Sequence, residues 1–134
     1  MPIEKAIHLN LENAANVSRT FVGAGIDVVI SYPLSKPNYD YVLAKIGSVE
    51  ADFVPITLFT SLENAKRNRG GRNLSEWELC RIEWMHANGL ANPGFGALID
   101  NSVLSIEATV EAVIKISGLS RTPADSGKYK KAGE

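Results

Sequence analysis

Asp52-Phe-Val-Pro-Ile-Thr-Leu-Phe-Thr-Ser61 is the stretch on which the fold turns. It is short, apolar and strand-like. Pro55 has no N–H to give to a ladder, so the first half of the run is predicted to be an edge, a bulge or the start of a strand. Thr60 or Ser61 is placed to cap a short helix beyond it.

Upstream, Asp27-Val-Val-Ile-Ser-Tyr32 is a β-branched run without polar alternation. That pattern predicts a strand buried on both faces, as in a parallel sheet. It follows a helix predicted from about Glu4 to Ala24, with Leu11, Ala14, Ala15, Val17, Phe21 and Val22 at helical spacing and Gly23 and Gly25 at its end. Ser35 is predicted to cap the next helix, with Pro37 in its first turn and Gly47 at its stop.

Downstream lies Asn64-Ala-Lys-Arg-Asn-Arg-Gly-Gly-Arg-Asn-Leu-Ser-Glu-Trp-Glu78. Lys66, Arg67, Arg69 and Arg72 crowd positive charge around a Gly-Gly pair. Guanidinium forks match oxyanion geometry, so this segment is the candidate anion site. Solvated surface charge is the ordinary alternative, with Glu63, Glu76 and Glu78 close enough for surface ion pairs of roughly 0–1 kcal/mol each. Ser75 and Glu78 have the spacing of a capping box, predicting a helix to about Asn88. Gly94-Phe-Gly-Ala-Leu-Ile-Asp100 reads as a third strand. Ser105 then caps a last helix with Ile106, Val110, Val113 and Ile114 as its apolar stripe.

The expected order is α-β-α-β-α-α-β-α, an α/β layered fold with a three-layer, mainly parallel sheet. Residues 1–117 are expected to form a single domain and 118–134 a disordered tail rich in Ser, Gly, Pro, Lys and Asp. Ligands of such sheets sit at the carboxyl ends of strands, which nominates Ser31, Tyr32 and Asp100 as ligand contacts. Asp100 equally suits a turn cap with Asn101 and Ser102, and that reading is favoured.

The remaining chemistry is sparse. Cys80 stands alone and is expected to be a buried structural thiol; a single cysteine fits a reducing, cytoplasmic setting. His8 and His86 have no partners at metal spacing, so no metal site is expected. Trp77 and Trp84 lie seven apart on one helix face, and core packing is preferred over a base-stacking platform. A net charge of −1 gives no global pull toward nucleic acid or membrane. No apolar run approaches the ~20 residues that span a bilayer, and the N-terminus lacks the pattern of a signal peptide.

The Asp27–Ser31 and Phe53–Thr60 strands, the Asn68-Arg-Gly-Gly-Arg72 segment, the Leu74-Ser-Glu-Trp-Glu78 helix start and the Phe95-Gly-Ala-Leu-Ile-Asp-Asn-Ser102 strand together carry a resemblance. Over roughly residues 9 to 116 the chain resembles the C-terminal two-thirds of a small P-loop kinase. It is similar to bacterial shikimate-kinase-like and chloramphenicol-phosphotransferase-like enzymes. The resemblance implies that Arg67, Arg69 and Arg72 are residues of a lid that closes over phosphate. It departs from that family where G-x-x-x-x-G-K-[ST] should stand, because no such Walker A motif occurs in the sequence.

The resemblance therefore implies a non-catalytic or degenerate kinase-like domain that binds a phosphate-bearing small molecule through its basic lid. One alternative is an ATP-dependent small-molecule kinase, with Mg-ATP as cofactor, completed by an N-terminal segment or partner chain that supplies the phosphate loop. Another is an interaction module. The resemblance places an absent strand between Asp27–Tyr32 and Asp52–Phe59, which would leave open edges for self-association as a homodimer.

Overall fold

The computed structural model describes residues 2–67 and 70–119. It contains α1 (Ile3–Gly23), α2 (Lys36–Ile46), β1 (Ile56–Phe59), α3 (Leu62–Ala65), α4 (Glu76–Ala87), β2 (Ala97–Asp100) and α5 (Ile106–Ser117). Arg69 and most of the expected disordered tail lie outside the described residues.

Local signals decide most helix ends. The hydroxyls of Ser35, Ser61 and Ser105 accept from Asn38 N–H, Asn64 N–H and Ala108 N–H, each satisfying a first-turn amide that a helix leaves orphaned. Gly47 stops α2 and Gly118, in the left-handed conformation, stops α5.

β1 and β2 pair in parallel in the register Ile56↔Ala97, Thr57↔Leu98, Leu58↔Ile99, Phe59↔Asp100. Pro55 stands just outside β1. It cannot donate, but its carbonyl accepts from Ala97 N–H at 3.0 Å and so opens the ladder. Gly96 makes this approach possible. A Cβ there would lie 2.4 Å from the Pro55 carbonyl oxygen, and its φ of +71° is a conformation that side-chain-bearing residues avoid.

The expected strand over Asp27–Tyr32 is not formed. The sheet among the described residues has two strands, and the architecture is mixed α/β. β-branched residues favour extended backbone, but a strand also needs a neighbour for its amides, and among the described residues no strand pairs with this run. Ile30 and Leu34 pack on the α1–α2 core, while Val29 is 82% exposed.

That core consists of Leu11 and Ala15 from α1 against Val42 and Ile46 from α2. Full burial of one such aliphatic side chain contributes about 1.5–3 kcal/mol. Ser18 shares the buried stripe and satisfies its hydroxyl by donating to Ala14 O at 2.7 Å. Val17 and Phe21, expected on the apolar stripe, point away from the core and are exposed. At the rim Lys45 pairs with Glu12 at 3.1 Å, and His8 stacks on Tyr41 with ring centroids 5.1 Å apart. Tyr39 of α2 stacks on Phe95, before β2, at 4.8 Å and joins the helical pair to the sheet.

Gly96→Ala should lower Tm and cost on the order of 1–3 kcal/mol, because the new methyl meets backbone rather than a flexible side chain. Gly94→Ala shares a positive φ but meets nothing within 4 Å, so thermal melts should show the larger loss at Gly96.

Candidate anion site at the carboxyl end of the sheet

The two strands end side by side, and the chain is latched there. Asn101 N–H donates to Phe59 O at 2.9 Å, extending the ladder by one bond. Ser61 N–H donates to the Ser102 hydroxyl at 3.2 Å, and Asn64 Nδ2 donates to Ser102 O at 3.2 Å. His86, on the last turn of α4, places Nδ1 3.0 Å from Ile82 O and Nε2 3.1 Å from Thr60 O. Both ring nitrogens face acceptors, so a neutral imidazole donates to only one of them. The ring thus ties α4 to the chain leaving β1, a role its sequence position did not disclose.

Asp100 lies at this edge as a turn residue. Its Oδ1 accepts from Ser102 N–H at 3.0 Å. Hydrogen bonds from the Ser102 hydroxyl and backbone hold its carboxyl below the usual carboxylate range. Ser31 and Tyr32 are exposed on the extended segment before α2, and the hydrogen bond of the Asp100 carboxylate goes to Ser102.

The basic segment leaves this edge through α3. Lys66 pairs with Glu83 of α4, and Arg67 pairs with Glu63 at 3.3 Å one helical turn back. Arg72 makes a two-pronged contact with Glu78, Nη1 to Oε2 at 3.1 Å and Nη2 to Oε1 at 2.9 Å. Glu78 also accepts from Ser75 N–H at 2.8 Å while Ser75 caps Glu78 N–H, the expected capping box. The Arg72 guanidinium first, and then Ser75, hold the Glu78 carboxyl down to about 2. The same pair pushes Arg72 upward. Each described cation of the expected lid thus faces its own carboxylate.

Two expectations for α4 are overturned. Trp77 is 73% exposed and Trp84 47% exposed, so neither is a core residue. Cys80 is an exposed free thiol rather than a buried one. The reason is shared: α4 meets α3 over only a small area, which leaves Trp77, Cys80 and Trp84 exposed. The Arg81 guanidinium lies over the Trp84 ring at 4.5 Å. Arg81 has no ion pair among the described residues, which makes it a free cation that the sequence reading passed over. Its only signal was the i, i+4, i+7 spacing of Trp77, Arg81 and Trp84. A shallow depression of about 270 Å³ lies beside this stripe, between Arg72, Leu74, Trp77 and Ile82.

No cluster of three or more His, Cys, Asp or Glu side chains gathers as a metal site among the described residues. No helix among them is long and apolar enough to cross a membrane. Compared with protein-family models, curated proteins and solved structures, the chain matches none.

Because the folded carboxyl of Glu78 sits well below its usual range, the stability it contributes is fully present above about pH 4.5 and is lost as pH falls toward 2. Tm measured from pH 6 to pH 2 should fall more steeply for the wild type than for Glu78→Gln. Parallel curves would show that the Arg72 contact does not persist in solution.

Proposed function

We propose that this chain is a non-catalytic, P-loop-kinase-like domain that binds a phosphate-bearing small molecule through Lys66, Arg67 and Arg72, with Arg69 of the same segment. The observation that carries this reading is positional. The basic segment springs from the carboxyl end of a parallel strand pair, the edge at which open α/β sheets take their ligands. The finer three-layer kinase architecture is part of the proposal.

The carboxylates define how the site works. Glu63, Glu78 and Glu83 hold the cations in place when no anion is bound. A phosphate must displace Glu78 from Arg72, exchanging one charge-assisted fork for another, so the net gain is small. Binding is therefore weak and strongly salt-dependent, because these side chains are exposed. Phosphoryl transfer depends on positioning, and no G-x-x-x-x-G-K-[ST] motif is present in the sequence to orient a γ-phosphate. An ATP-dependent kinase completed by a partner chain that brings such a loop is the alternative, and it requires Mg-ATP.

A second reading has its own observation. The extended, apolar run around Val29 and the exposed Leu58 and Leu98 on a two-stranded sheet are surfaces on which a further strand would add, including one from another copy of this chain.

Calorimetric titration with inorganic phosphate, ADP and Mg-ATP at low salt separates these readings. The lid reading expects weak phosphate binding that Arg72→Ala abolishes and Glu78→Gln strengthens. Unchanged binding in Arg72→Ala would sink it. Micromolar binding of Mg-ATP, well above that of phosphate, would favour the completed kinase. Sedimentation as a dimer, with no heat from any anion, would favour strand addition.

A further inference from the structure

We infer that the exposed face of α4 is a stacking platform for a heteroaromatic ring, so that the phosphate-bearing ligand of the adjoining lid is a free nucleotide. This rests on the lid reading and names its ligand class.

Trp77 is the anchor. Its indole is 73% exposed and has no ring or cation partner among the described residues. A large aromatic face left in water is an unspent contact surface, and every nucleobase offers a matching π-face. Beside it the depression is lined by the apolar Ala65, Leu74 and Ile82 and by the charged Arg72, Glu78 and Arg81. Its volume, about 270 Å³, falls just below the range of pockets that enclose whole drug-sized ligands, so it takes a ring and leaves the rest of the ligand outside.

Charge completes the assignment. Arg72 is balanced by Glu78, while Arg81 lies on Trp84 without a carboxylate partner among the described residues. Arg81 is thus the cation of this depression that no carboxylate neutralises by direct contact among the described residues. Arg72 belongs both to the lid and to the depression, so a ring on Trp77 places its attached phosphate beside the lid. A nucleic-acid strand fits this face poorly, because Glu76 and Glu83 are exposed on the same helix and repel a polyanion.

The test compares AMP, adenosine, ribose 5-phosphate, inorganic phosphate and a short single-stranded oligonucleotide, by calorimetry and by quenching of tryptophan fluorescence. AMP should bind about 5- to 100-fold more tightly than ribose 5-phosphate, the range that base stacking supplies. Trp77→Ala should erase that ratio while leaving ribose 5-phosphate binding and the melting temperature unchanged. Arg81→Ala should weaken AMP, and Arg81→Lys should restore most of it. Equal binding of AMP and ribose 5-phosphate would overturn the platform and leave the lid reading standing. Equal binding of AMP and adenosine would overturn the lid reading and the nucleotide assignment together. An oligonucleotide bound more tightly than AMP would overturn the assignment to a free nucleotide.

Discussion

The four-residue parallel ladder between Ile56–Phe59 and Ala97–Asp100 is the constraint from which the rest of the molecule follows. Parallel neighbours cannot be joined by a tight turn, so the chain between them must travel the length of the sheet and return. Everything of chemical interest lies in that return: α3, the basic segment and α4. The close contact of Gly96 with Pro55 sets where the ladder opens, and the Asn101 to Phe59 bond sets where it ends. Both strands therefore release the chain at one level, where Ser102, Asn64 and His86 lock it.

The basic segment is electrically quieter than its composition suggests. Lys66, Arg67 and Arg72 each meet a carboxylate, and such exposed pairs are individually worth little. Their importance is geometric. Arg72 and Glu78 couple the segment to the capping box, so the start of α4 and the orientation of Arg72 are one structural unit. An anion that captures Arg72 would loosen that unit, which links occupancy of the site to order at the helix start. Arg81 stands apart from this network, held by the face of Trp84, an interaction worth about 0.5–1 kcal/mol at exposed sites.

Apolar surface is distributed unevenly. The α1–α2 pair closes on four small and medium side chains, while Val29, Ile106 and Trp77 are almost fully open. α5 shows the same asymmetry. Its expected stripe exists, but Val110, Val113 and Ile114 are only half-buried and Ile106 lies outside. α1, α4 and α5 thus each present apolar side chains that their neighbours do not cover.

Local sequence determined the helices, their serine caps, the Ser75–Glu78 box and the Asp100 turn. These depend on bonds among residues a few positions apart, so composition and spacing suffice to specify them. Tertiary structure decided what spacing cannot express. Asp27–Tyr32 has the residues of a strand but gains no partner for its amides. Trp77 and Trp84 share a helix face but meet no neighbour to bury them. Arg67 and Arg72 meet Glu63 and Glu78, which stand near them in the sequence, but Lys66 receives Glu83 only because α3 and α4 fold against each other. Burial, strand pairing and the Lys66–Glu83 contact are relations between distant segments, and only the folded chain brings those segments together.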